Sequence, residues 1–67
     1  MGVILYTTHC PKCMILEKKL NMKNIAFDVN ENANEMIAKG FMSAPILEVD
    51  GKIMDFTEAV KWTNTLN

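Results

Sequence analysis

The chain has 67 residues, 49% of them hydrophobic, with seven basic and eight acidic side chains, which limits it to one domain with a thin core. No apolar run approaches the roughly 20 residues needed to span a bilayer, and a net charge of −1 offers no long-range attraction for a polyanion such as nucleic acid. No basic leader or cleavage site is legible, so a cytoplasmic, monomeric domain spanning 1–67, without membrane or nucleic-acid partners, is expected.

Val3-Ile4-Leu5-Tyr6 is a continuous β-prone apolar run, the pattern of a strand covered on both faces. Thr7-Thr8-His9 breaks it with polar residues. Pro11 suits a first helical turn, where its missing N–H would be unpaired anyway. Cys13, Leu16 and Leu20 then follow helical spacing, up to about Met22. Ile25 to Val29 predicts a second strand, with Ile25, Phe27 and Val29 on one face. Asn32-Ala33-Asn34-Glu35 has the form of a capping box, with Asn32 accepting backbone N–H groups and Glu35 reaching back. The helix it opens should pass Met36 and Ile37 and stop at Gly40. Ile46 to Val49 predicts a third strand. Asp50-Gly51 signals a type I′ hairpin, and Lys52 to Met54 a fourth, antiparallel strand. Asp55-Phe56-Thr57-Glu58 repeats the capping pattern and starts a last helix running to about Leu66. The six methionines are expected to fill gaps in the core.

The order β-α-β-α-β-β-α predicts an α/β fold. Its first two strands should be parallel, joined by a right-handed helical crossover. The hairpin adds antiparallel strands, giving a mixed four-stranded sheet with helices on both faces.

The two cysteines, Cys10 and Cys13, lie three positions apart. A disulfide between them closes too short a loop to stabilise the fold much, so the pair is placed for chemistry or metal. Bending Cys10-Pro11-Lys12-Cys13 into a first helical turn brings the sulfurs within disulfide range. The same turn puts Cys10 at the helix N-terminus, where unpaired N–H groups and the positive dipole end favour a thiolate. Cys10 is therefore the expected nucleophile, and Cys13 the thiol that resolves the mixed disulfide. His9 and Lys12 could act in the same direction. Structural zinc needs four ligands, and His9 is the only histidine, so no metal is expected.

The strand, the Thr7-Thr8-His9-Cys10-Pro11-Lys12-Cys13 helix start, the Ser43-Ala44-Pro45 step before a strand and the Asp50-Gly51 hairpin together resemble the glutaredoxin branch of the thioredoxin superfamily. The resemblance covers essentially the whole chain. It implies a thioredoxin-like fold and a thiol–disulfide oxidoreductase that uses the Cys10–Cys13 disulfide as its redox centre and no other cofactor. It implies further that Pro45 is cis and that the Ala44 backbone pairs with the substrate chain. Pro11, Lys12, Ala44, Pro45, Asp55 and Phe56 are the expected substrate-binding residues. Glutathione-binding members commonly carry lysine or arginine where this chain has Thr7, and Gly-Gly with two aspartates where it has Met54-Asp55-Phe56-Thr57-Glu58. Both departures leave glutathione in doubt. Ser43-Ala44-Pro45 and Phe56 look closer to small redoxins that donate electrons to ribonucleotide reductase. The implied partners are a disulfide-containing protein and a recharging reductase, either thioredoxin reductase or the glutathione system. The runner-up is a soft-metal carrier resembling the copper chaperones, using the same cysteine pair for Cu(I). Those end in a strand, whereas this chain is predicted to end in a capped helix.

Overall fold

The computed structural model describes residues 2–65, and the apolar, β-prone run Val3–Tyr6 forms its first strand, β1. The helix α1, Pro11–Met22, follows; then β2, Asp28–Asn30; α2, Ala33–Ala38; β3, Ile46–Val49; β4, Lys52–Met54; and α3, Phe56–Thr65. The end of the last helix expected near Leu66 lies outside the described residues. The sheet is mixed, in the order β2-β1-β3-β4. β1 runs parallel to β2 and antiparallel to β3, and β3 and β4 form the hairpin. Its turn has positive φ at both Asp50 and Gly51, as a type I′ turn requires.

Strand alternation divides the core in two. Val3 and Leu5 of β1 and Leu47 and Val49 of β3 pack with Leu16 and Leu20 of α1 and Ala59 of α3. Tyr6 and Ile46 point the other way and pack with Met36 of α2. Helices therefore cover both faces. The fully buried leucines Leu16 and Leu20 each contribute roughly 1.5–3 kcal/mol relative to exposure, which fixes α1, and with it the cysteine turn, against the sheet. No helix among the described residues is long and apolar enough to cross a membrane.

Three expectations need correction. The second strand begins at Asp28, not Ile25. α1 ends in a Schellman turn in which Asn24 takes positive φ, Asn24 N–H donates to Asn21 O, and Ile25 N–H donates to Leu20 O. Residues 25–27 are thus spent turning the chain back. Ile25 and Phe27 alternate because they pack on the α1 core, while Val29 is exposed. The second correction concerns the Asn32 cap. Asn32 does accept from Glu35 N–H at 3.0 Å, but Glu35 does not reach back to it. Asn32 N–H donates instead to Asn30 Oδ1, and Glu35 accepts from Asn30 Nδ2 at 2.8 Å. The third concerns the methionines. Met36 and Met54 are core residues, but Met14, Met22 and Met42 are exposed, Met42 by 99%; Met14 and Met22 lie off the Cys13–Leu16–Leu20 face of α1, and Met42 lies in the loop between α2 and β3.

Candidate active site

Cys10 is the N-cap of α1, in extended conformation, with Pro11 at the first helical position. The cap side chain here is a sulfur: Cys13 N–H donates to Cys10 Sγ at 3.2 Å. A helix start thus directs a backbone donor and its dipole at the outer sulfur. Cys10 is half-buried and Cys13 fully buried, both as free thiols, so the outer sulfur is the one a large substrate can reach.

The loop before the helix is built around Thr7. This residue is fully buried at the end of β1, and its N–H donates to Asn30 O at 3.0 Å. Its Oγ1 accepts from His9 N–H at 3.0 Å, which holds His9 at a φ of 62°. The His9 side chain turns away from the sulfurs, to Glu31, at 3.1 Å. Thr8 Oγ1 lies 4.0 Å from Cys13 Sγ.

Burial pushes the Cys13 thiol up. Hydrogen bonds from the Cys10 and Thr7 side chains, and from the Thr8 and Cys10 backbone, outweigh it and bring the thiol down from 9.0 to about 7.

Across from the cysteines, the Ala44–Pro45 peptide is cis, and the Cys10 thiol donates to Ala44 O across 3.8 Å. Two hollows meet at Ser43 and Ala44. One, about 190 Å³, is lined by Lys12, Asp55, Phe56 and Thr57 beside that shared pair. Its Lys12 Nζ sits 5.5 Å over the Phe56 ring, and Asp55 caps α3 by accepting from Glu58 N–H at 2.9 Å. The other, about 330 Å³, is apolar, lined chiefly by Met36, Ile37, Phe41 and Met42.

The structure therefore gathers Lys12, Ala44, Asp55 and Phe56 around one hollow. Pro45 is buried behind Ala44, and Pro11 lines neither hollow. Thr8 and the Met36–Met42 wall lie outside the expected site residues, and Thr7, expected only to lack a cation, is fully buried. A threonine pair in a polar break carries no periodic signal, and only the fold shows that Thr7 faces inward.

Among the described residues, no group of three or more His, Cys, Asp and Glu side chains is placed to hold a metal ion. In comparisons with known proteins, no family model, curated protein or solved structure matches this chain.

Proposed function

We propose that the protein is a thioredoxin-fold dithiol oxidoreductase that reduces protein disulfides through Cys10 and Cys13. The observation that carries this reading is the half-buried Cys10 sulfur, capped by Cys13 N–H at 3.2 Å and set against the carbonyl of Ala44. As a thiolate, Cys10 attacks a substrate disulfide; a Cys10–substrate S–S bond forms and the other substrate sulfur leaves with the electron pair. Cys13 thiolate then attacks Cys10, the Cys10–Cys13 bond forms, and the second substrate sulfur leaves reduced. Two electrons pass to the substrate, and an external dithiol or thiol reductant restores the pair.

Two features support a polypeptide substrate. A Cys10 that has lost its proton can no longer donate to Ala44 O, which frees that carbonyl for a substrate N–H in the manner of an added strand. The apolar hollow on the far side of Ala44 suits an uncharged side chain next to the substrate cystine. Thr7 is turned into the core and offers no cation there, which supports recharging by a thioredoxin-reductase type of enzyme over glutathione. Electron donation to a reductase such as ribonucleotide reductase is the role this reading favours.

The test is disulfide reduction of insulin by the wild type and by Cys10→Ser, with either thioredoxin reductase or glutathione plus its reductase as the electron source. Turnover driven by thioredoxin reductase and lost in Cys10→Ser is expected. Undiminished turnover in the variant would remove the reading, and fast turnover on glutathione alone would remove its reductant preference.

A further inference from the structure

The face that α1 turns to solvent is apolar where a surface helix is normally polar. Cys13, Leu16 and Leu20 occupy the buried side of the helix. On the other side Met14 is 62%, Ile15 48% and Met22 71% exposed, and Pro11 and Lys18 are exposed beside them. Residues three and four apart are neighbours on a helix surface, so these five side chains form one continuous stripe. At 1.5 Å per residue it is about 16 Å long. It begins at Pro11, directly after the Cys10 cap.

Positive charge is gathered on the same element. Residues 11–23 hold four of the seven basic side chains, Lys12, Lys18, Lys19 and Lys23, and only one acidic residue, Glu17. The remainder of the chain has three basic and seven acidic side chains. Lys12 is held over the Phe56 ring. Lys18, in the middle of the stripe, has no ion-pair partner among the described residues.

We propose that the solvent face of α1 is a docking surface for the protein that carries the disulfide, and that it selects an apolar patch bearing carboxylates. This deepens the dithiol-exchange reading and rests on it. A protein whose disulfide reaches Cys10 comes to lie beside Pro11, where the stripe starts. Two other occupants fit the stripe less well. A second copy meeting this one through the same face would set Lys18 against Lys18, and like charges across an interface cost affinity. A lipid surface suits a helix with one apolar face and its cations on the other, whereas Lys18 interrupts the apolar face at its centre. A carboxylate set between apolar side chains answers both the charge and the stripe.

The test uses three synthetic peptides, each with one cysteine held in a mixed disulfide with a light-absorbing aromatic thiol. The cysteine is followed by alternating Leu and Glu, Leu and Lys, or Ser and Glu. The alternating segment is about eight residues, long enough when extended to follow the stripe. Cys10 thiolate attacks the peptide sulfur, the Cys10–peptide S–S bond forms, and the aromatic thiolate leaves with the electron pair.

At low salt the Leu–Glu peptide should react roughly two- to fivefold faster than the Leu–Lys peptide, the range expected of exposed charge pairs. The ratio should approach one at about 1 M salt, where charges are screened within about 3 Å. Lys18→Glu should bring the low-salt ratio to one or below. Met14→Gln combined with Ile15→Gln should remove the advantage of the Leu–Glu over the Ser–Glu peptide. Ratios between peptides cancel any general change in Cys10 reactivity, and Lys18→Gln reads the same loss if the glutamate variant does not fold. Wild-type ratios near one, or ratios that neither variant alters, overturn the docking surface. A dimer, or binding to phosphatidylglycerol vesicles, that the Met14→Gln and Ile15→Gln pair abolishes also overturns it, because the stripe then has another occupant. A wild type that reacts with all three peptides as slowly as free cysteine overturns the dithiol reading itself, so the two failures are distinguishable.

Discussion

Cys13 N–H points at the sulfur of Cys10 across 3.2 Å, so the residue proposed to resolve the mixed disulfide also supplies the backbone donor that caps its partner. This contact needs the Cys13 backbone and not its thiol. Cys13→Ser should therefore keep the helix start and the first exchange, and lose the second. The mixed disulfide at Cys10 should accumulate, visible as an added substrate mass. Steady-state reduction should fall by about a hundredfold or more, because an external thiol replaces one held in place. Normal turnover in Cys13→Ser would show that one sulfur suffices.

The lowered Cys13 thiol makes the redox potential depend on pH in two regimes. Below about 7 Cys13 takes up a proton on reduction and above it does not, so one proton fewer accompanies the two electrons. The pH slope of the midpoint potential should therefore become shallower by about 30 mV per unit across that value. Stability follows the same group. Its folded value of about 7 lies below the ordinary 9.0, so the extra stability of the reduced form is present above pH 9 and lost as the pH falls through 7. The oxidised form has no such titration. A single slope through this range, by equilibrium with a thiol couple of known potential, would contradict the assignment.

The features legible in the sequence were those set by local chemistry. Asp50-Gly51 demands positive φ and obtains it, Pro11 starts α1, and Gly40 closes α2 with a φ of 80°. The element order and mixed sheet follow from these punctuation marks and the apolar runs between them. The errors arise where two physical causes write the same pattern. Ile25 and Phe27 alternate like strand residues, yet they are held by a turn whose key residue, Asn24, takes φ 57°; asparagine adopts that conformation less distinctively than glycine, so the stop went unread. The closeness of the two cysteines was legible because a three-position spacing at a helix start brings Cys13 N–H onto Cys10 Sγ. The inward hydroxyl of Thr7 was not, since facing direction just past a strand end depends on tertiary packing.

Lys12 and Phe56 join α1 to α3 through a cation lying 5.5 Å from the ring centroid. Both side chains line the smaller hollow, so this contact shapes its wall. A double-mutant cycle with Lys12→Ala and Phe56→Leu should give a coupling of about 0.5–1 kcal/mol in urea unfolding, as expected at an exposed site. Lys12→Met, which keeps the aliphatic stem without the charge, should lose most of it. Strictly additive effects would mean that the two merely neighbour one another.

Asp55 has two possible duties, and its amide separates them. As the cap of α3 it accepts from Glu58 N–H at 2.9 Å, a role asparagine fills nearly as well and alanine does not. Asp55→Ala should cost about 1 kcal/mol of stability and Asp55→Asn far less. A raised KM for protein disulfides in Asp55→Asn, with unchanged unfolding, would assign the carboxylate to substrate recognition. An unchanged KM would leave it a cap.

Tyr6 anchors the site from behind the sheet. Its ring meets Phe41 edge-on at 5.0 Å. Its hydroxyl donates to Glu48 Oε1 at 3.2 Å and accepts from Lys39 Nζ at 3.1 Å, which raises the Lys39 pKa. Phe41 and Met36, from the same cluster, form one wall of the apolar hollow, so Tyr6 fixes the surface on which a substrate would lie. Tyr6→Phe keeps the ring and deletes the hydroxyl; the expected cost is about 1 kcal/mol, together with a fall in the Lys39 pKa visible by NMR titration. The sign is set by the raised lysine: its contribution is complete below the ordinary value of 10.5 and disappears as the pH rises through the folded one. The difference in stability between wild type and Tyr6→Phe should therefore be steady near neutral pH and shrink in strong alkali. A difference that does not change with pH would mean that the bond from Lys39 contributes nothing to it.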